Sequence, residues 1–211
     1  MNLGFLGDAL DHWKGSLFKY LLEEEVLRRF AIDPMFSDQS SWAEKEKSIY
    51  ARLMHVEERQ LICHKHDLRN RCEYFREIEH DGDLFLDPDT GVATGSTFSK
   101  KHVRPQEVAS LIKRHGNRLL VLYQHNARGK ILRERVKEVL VAINSALGAF
   151  SWCSYESSSC AAAILFVARQ FSRAHEVEKA FQKLLGLGST KIRVGNFPLQ
   201  KNDRSLTGGS L

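Results

Sequence analysis

Two polar segments follow apolar runs of strand length, and their side chains are of types that do chemistry. The first, Asp87-Pro88-Asp89-Thr90-Gly91, combines two carboxylates, a hydroxyl, a φ-fixed proline and a flexible glycine. The second, Gln124-His125-Asn126-Ala127-Arg128, offers amide, imidazole and guanidinium groups. Ligands bind beyond the carboxyl ends of the strands in an open parallel sheet. If the two strands are neighbours, Asp87, Asp89, Gln124 and His125 converge on one cleft.

The composition of the first segment also suits a plain turn. Polar groups at two successive strand ends favour a site over a turn.

The apolar pattern predicts an α/β domain that delivers these segments to one edge of a sheet. Continuous apolar runs predict buried strands at 84–86, 119–123 and 161–167, with shorter strands at 30–36 and 61–64. Apolar stripes predict helices over 6–21, 42–58, 69–78, 131–147 and 177–185, and Pro105 suits the first turn of another. Strands that alternate with helices indicate a mostly parallel sheet with helices on both faces.

The bulk composition is that of one globular domain, with 211 residues of which 43% are hydrophobic and 27% charged. We predict a domain over 1–200 that opens with a helix, and a flexible tail over 201–211. No apolar run reaches membrane-spanning length and the start lacks a signal pattern, so we expect a cytoplasmic protein without membrane contact. The net charge of +5 permits contact with nucleic acid. The four cysteines lack paired Cys-x-x-Cys spacing, which predicts thiols and no metal site.

The strand-end segments resemble a group of bacterial proteins related to Rossmann-like methyltransferases. Leu84-Phe85-Leu86-Asp87-Pro88-Asp89-Thr90-Gly91 is similar to that group's LDPDNG, Ser99-Lys100-Lys101-His102-Val103 to its KYV, and Tyr123-Gln124-His125 to its YQH. Gly7-Asp8, Asp11 and Lys14 resemble the group's opening GD..D..K..L, so the resemblance extends to about Arg169. The chain is similar, more distantly, to the large-subunit rRNA adenine methyltransferases, whose opening helix and Asp-Pro-Pro-Tyr strand end occupy equivalent places.

The resemblance implies a Rossmann-like fold with S-adenosylmethionine bound over the sheet. It implies that Asp87 and the Pro88 carbonyl hold a nucleophilic amine of a nucleic-acid base beside the cofactor's methyl group, with positioning as the main source of catalysis. The predicted catalytic residues are Asp87, Pro88, Asp89 and His125. The predicted cofactor-binding residues are Asp8, Asp11, Lys14 and Gly91.

Two departures from the methyltransferase pattern leave another function open. The adenine methyltransferases carry a proline and an aromatic residue where this chain has Asp89 and Thr90, and that aromatic residue stacks on the extruded base. Residues 30–41 contain no glycine, although a cofactor-binding first turn normally uses glycines. Both departures suit a catalytically inactive module that binds a ligand or a partner protein.

A further alternative is a metal-dependent nuclease or phosphodiesterase. Asp87, Asp89 and His125, with Asp8 or Asp11 nearby, could hold Mg²⁺ or Mn²⁺ through oxygen and imidazole ligands.

Overall fold

The computed structural model describes residues 2–37, 42–95, 98–126 and 129–197, which form six α-helices and eight strands. The helices are α1 Ala9–Glu23, α2 Glu44–Leu53, α3 Arg71–Arg76, α4 Pro105–Arg114, α5 Leu132–Leu147 and α6 Phe171–Leu185. The strands are β1 Ala31–Asp33, β2 Leu84–Leu86, β3 Gly91–Val92, β4 His102–Val103, β5 Leu120–His125, β6 Phe150–Ser157, β7 Ala162–Ala168 and β8 Ile192–Phe197. The predicted tail 201–211 and Arg128 lie outside the described residues.

Six of the strands form one mixed sheet in the order β1-β2-β5-β7-β6-β8. β1, β2 and β5 are parallel, whereas β7 is antiparallel to both β5 and β6, and β8 is antiparallel to β6. Four strands therefore point one way and two the other. This architecture confirms the predicted α/β class with a mostly parallel sheet. The predicted sheet did not include antiparallel pairing, which the structure shows in the half built from β5 to β8. The short connection between β6 and β7 makes a hairpin.

Apart from the partly exposed edge strand β8, the sheet is buried on both faces, and alternate side chains of its strands enter two cores. In β2, Phe85 packs with α1, α2 and α6, whereas Leu84 and Leu86 pack with α3, α4 and α5. β5 divides in the same way, with Val121 in the first core and Leu122 in the second. Helices therefore cover both faces, as the continuous apolar runs predict.

Several short elements differ from the sequence predictions. The predicted strand at 61–64 is reduced to a single parallel bridge between Leu61 and Ile32. The pair of short strands β3 and β4, and the edge strand β8, have no predicted counterpart. Pro105 does begin α4, where the Glu107 carboxylate accepts a hydrogen bond from the Arg104 amide at 2.7 Å. Among the described residues, no helix combines the length and the apolar character that a bilayer crossing requires.

A buried carboxylate, Asp83, joins the start of β2 to three other parts of the chain. It accepts hydrogen bonds from the Leu119 amide at 2.8 Å, the Arg28 amide at 2.7 Å and the Arg173 guanidinium at 2.5 Å. Asp83 and Arg173 are almost completely buried. The ion pair therefore fixes α6 against the amino end of the sheet.

Replacing Asp83 by alanine tests this junction. The change removes the buried partner of the Arg173 charge, which keeps only the partly exposed Glu176 carboxylate, and it removes the acceptor of two amides. The free energy of unfolding should fall by about 3 kcal/mol. Urea unfolding followed by circular dichroism measures the loss. The matched control is Asp81→Ala, which removes an exposed pair with Arg29 and should cost under about 1 kcal/mol. Equal effects of the two substitutions would contradict the role assigned to Asp83.

Candidate functional site

The two polar strand ends lie side by side because β2 and β5 are parallel neighbours, with Leu86 paired to Leu122. The structure brings Asp87, Asp89 and His125 to the wall of one cavity of about 260 Å³. Gln124 alternates to the other side of β5 and does not line it. The carboxyl edge of the parallel half of the sheet is therefore the candidate site.

The opening helix supplies the second wall of this cavity. Asp8, Asp11 and Lys14 of the α1 region line it together with the β2 end. The described residues that line it are Phe5, Asp8, Leu10, Asp11, Lys14, Asp87, Pro88, Asp89, Tyr123 and His125. Phe5, Leu10 and Tyr123 are not part of the sequence-based site. Leu10 belongs to the apolar stripe of the opening helix and Tyr123 to the apolar run of a strand, whereas no pattern singles out Phe5. We call this space the α1–β2 cavity.

A buried ammonium group joins the two walls. Lys14 Nζ lies 2.7 Å from Asp11 Oδ1 and 2.8 Å from Asp87 Oδ2, with all three side chains at most 3% exposed. The Tyr50 hydroxyl donates to the same Asp87 oxygen at 2.7 Å. The ammonium also lies 5.1 Å from the centre of the Tyr123 ring, within the range of a cation–π contact. These contacts fix the Asp87 carboxylate at the base of the cavity.

The charges in this network respond to burial and to each other. Burial lowers the pKa of Lys14, but the Asp87 and Asp11 carboxylates raise it by more, so its pKa is above the usual value. Burial raises the pKa of Asp11 despite the opposing effect of Lys14. Burial and then the Asp87 charge hold the pKa of the Tyr50 hydroxyl well above its usual value. Lys14 is therefore charged and Tyr50 is a hydrogen-bond donor at neutral pH.

The start of α1 is held in place by its own acidic residues. Asp8 caps the helix, since its Oδ1 accepts from the amides of Leu10 at 2.8 Å and Asp11 at 3.1 Å. The Gly7 amide donates to Asp11 Oδ2 at 2.9 Å. Asp11 thus binds the chain before the helix with one oxygen and Lys14 with the other.

Gly91 and Gln124 shape the corner that follows Asp87 without lining the cavity. Gln124 Oε1 accepts from the Val92 amide at 2.9 Å, and Nε2 donates to the His125 carbonyl at 2.7 Å. A Cβ atom on Gly91 would lie 2.4 Å from Gln124 Oε1, and the φ of Gly91 is +110°. Any side chain at position 91 would therefore displace the corner.

Tyr123 and His125 share a face of β5 and are in contact at the cavity wall. The Tyr123 hydroxyl lies 3.0 Å from His125 Nδ1. Burial, followed by the charges of Asp87 and Asp8, raises the pKa of Tyr123 far above its usual value. The hydroxyl therefore stays protonated at neutral pH and can donate to the imidazole.

A separate polar cluster follows β1, next to a small cavity of about 80 Å³. Asp33 Oδ1 accepts from the Tyr74 hydroxyl at 2.6 Å, and Asp33 Oδ2 lies 3.1 Å from His64 Nε2. The rings of His64 and Tyr74 are stacked, with centres 3.5 Å apart. Sequence reasoning missed this cluster, although Asp33-Pro34 repeats the strand-end pattern of Asp87-Pro88. Its contacts join β1 to α3.

Neither cluster forms a set of metal ligands. Within the part of the chain that the structure describes, no three His, Cys, Asp or Glu side chains are placed to hold a metal ion together. The four cysteines are free thiols.

Comparison with models of protein families and with curated proteins gave no match to this chain.

Replacing Lys14 by methionine tests whether the ammonium joins the two walls. The variant keeps the length of the side chain but leaves Asp11 and Asp87 facing each other, and unfolding free energy at neutral pH should fall by about 3–5 kcal/mol. A group whose pKa is raised by folding contributes stability below its unfolded pKa and loses it as the pH rises through the folded value. The difference between wild type and Lys14→Met should thus be constant up to pH 10.5, the usual pKa of lysine, and shrink above it.

Urea unfolding at a series of pH values measures this difference. The matched control is Lys19→Met on the same helix, because Lys19 is exposed and its pair with Glu23 is 4.0 Å long. That control should cost under about 1 kcal/mol. A loss in Lys14→Met that persists unchanged far above pH 10.5 would contradict the role of the charge.

Proposed function

We propose that this protein is a Rossmann-like methyltransferase that binds S-adenosylmethionine in the α1–β2 cavity and transfers its methyl group to an amine of a nucleic-acid base. The observation that carries the proposal is the Lys14 link between Asp11 and Asp87. It joins the opening helix to the Asp-Pro strand end, which are the two segments that the resemblance to methyltransferases pairs. They are 73 residues apart in the chain.

The lining of the cavity suits the cationic end of the cofactor. Among the described residues that line the cavity, the carboxylates of Asp8, Asp11 and Asp87 outnumber the ammonium of Lys14. A sulfonium and an ammonium group are attracted to such a wall, and Leu10 and Tyr123 supply apolar contact. Pockets for drug-sized ligands measure about 300–1,000 Å³. A cavity of about 260 Å³ therefore encloses one end of the cofactor and leaves the rest at its mouth. When bound, the cofactor would supply an electrophilic methyl group. Its carbon–sulfur bond would break as the new nitrogen–carbon bond forms, S-adenosylhomocysteine would leave, and the acceptor amine would release one proton to solvent.

The residues of the chain would act mainly by positioning the acceptor amine. In the proposal the Asp87 carboxylate and the Pro88 carbonyl accept hydrogen bonds from that amine, which directs its lone pair at the methyl group. Lys14 and Tyr50 hold the carboxylate in one orientation, because both bind its Oδ2. Such pre-set alignment is a large part of the rate gain in two-substrate reactions.

A basic loop beside the Asp87 corner supports a nucleic acid as the acceptor. The Thr90 amide donates to the Lys101 carbonyl at 3.0 Å, so the loop that carries Lys100 and Lys101 borders the corner. Both lysines are exposed. Ammonium groups at this place can contact phosphates and hold the strand while one base enters the cavity.

The metal-dependent alternative is less well supported by the same geometry. The Lys14 ammonium lies 2.8 Å from Asp87 Oδ2, which is the place that a divalent ion would need. Two cations at one carboxylate oxygen repel each other strongly in a buried site.

Calorimetry with S-adenosylmethionine and S-adenosylhomocysteine tests the cofactor assignment. Binding heat should appear at micromolar concentrations of both ligands. The absence of heat from either ligand at high micromolar concentration would remove the cofactor and the proposed reaction with it.

Transfer of a labelled methyl group to RNA and DNA tests the role of Asp87. Asp87→Asn should reduce transfer about 100-fold, since the acceptor amine is misplaced, while the heat of S-adenosylhomocysteine binding remains. Asp81→Asn, at an exposed position outside the cavity lining, is the matched control and should transfer normally. Undiminished transfer by Asp87→Asn would contradict the assignment.

A further inference from the structure

Phe5 is an exposed aromatic residue that also lines the α1–β2 cavity. Its side chain is 60% exposed, although the ring contributes to the cavity wall. A side chain that is exposed and also forms part of the cavity wall lies at the mouth of the cavity. Single exposed apolar side chains are common on protein surfaces, so exposure alone carries no function. Two further observations do indicate a role for Phe5: it lies at the mouth of a candidate site, and its backbone is held by hydrogen bonds.

The backbone of Phe5 is tied to the network that orients Asp87. Phe5 ends a 3-10 turn that begins at Leu3, and its carbonyl accepts from the Asp8 amide at 3.1 Å. The next link is the Gly7 amide, which donates to Asp11 Oδ2 at 2.9 Å. Asp11 in turn binds Lys14, and Lys14 binds Asp87. A continuous series of contacts therefore links the backbone of Phe5 at the mouth of the cavity to the Asp87 carboxylate at its base.

The strand end after Asp87 supplies no aromatic residue to the cavity. The aromatic residue that adenine methyltransferases carry after their Asp-Pro-Pro is Thr90 here. Among the described residues that line the cavity, two carry a six-membered aromatic ring, Phe5 and Tyr123. Tyr123 is buried and its ring is in contact range of the Lys14 ammonium. Phe5 thus has the face that an incoming ring can use.

We propose that Phe5 is the stacking platform for an amino-substituted purine ring at the mouth of the α1–β2 cavity. The carboxylate of Asp8 lines the same cavity and suits the exocyclic amine of such a ring as a hydrogen-bond acceptor. The proposal deepens the proposed function, on which the identity of the ring rests. Two molecules could supply such a ring: the acceptor nucleic acid through its base, and the cofactor through its adenine.

Fluorescence of 2-aminopurine riboside tests the platform, because stacking on an aromatic ring quenches it. Wild-type protein should quench the probe, and Phe5→Ala should raise the Kd about tenfold, as expected for the loss of one base–aromatic stack. Phe5→Trp should retain the quench. Phe5→Leu, which keeps apolar contact without a π face, should behave like Phe5→Ala. The matched control is Phe171→Ala, at another exposed phenylalanine outside the cavity lining, and it should bind like wild type.

Adding S-adenosylhomocysteine separates the two sources of the ring. A quench that persists assigns the platform to the acceptor base, and a quench that is displaced assigns it to the adenine of the cofactor. A wild-type protein that does not bind the probe, or equal binding by Phe5→Ala or Phe5→Leu and wild type, overturns the platform. If calorimetry shows no heat of cofactor binding but the quench still depends on Phe5, methyl transfer is ruled out. The stacking role of Phe5 then stands.

Discussion

The ammonium of Lys14 is buried between two carboxylates, and the site depends on that arrangement. A charge moved out of water costs several kcal/mol unless partners replace its hydration. Here Asp11 and Asp87 replace it, one from the opening helix and one from the end of a central strand. The helix must therefore dock at the carboxyl end of β2 for the charge to be compensated. The cavity between them is a consequence of this docking.

The short strand β2 lies between two buried ion networks. Asp83 at its start binds Arg173 of α6, and Asp87 after its end binds Lys14 of α1. Three apolar residues separate the two carboxylates and pack into both cores. The amino-end network fixes α6 to the sheet, whereas the carboxyl-end network opens onto a cavity. This asymmetry between the ends supports a ligand site at Asp87 and a structural role at Asp83.

Sequence patterns predict the strands, helices and strand ends of this arrangement more clearly than the contacts between residues far apart in the chain. The apolar runs of β2 and β5 and the polar segments that follow them are visible as patterns, and so is the α1 stripe. The antiparallel half of the sheet was missed, because a strand's direction depends on pairing that periodicity does not encode. Two aromatic residues of the site were missed for a related reason. Tyr50, which donates to Asp87, and Tyr123, which lines the cavity, have the spacing of core residues, and only the fold brings them to the site.

The proposal that the opening helix and the Asp87 corner bind one ligand together can be tested by hydrogen exchange with S-adenosylhomocysteine present. Amides in residues 7–14 and in residues 87–92 should become protected together, because both segments form walls of one cavity. The amino-end residues near Asp83 should exchange unchanged. Protection confined to one of the two segments, or no protection at saturating ligand, would contradict a shared site.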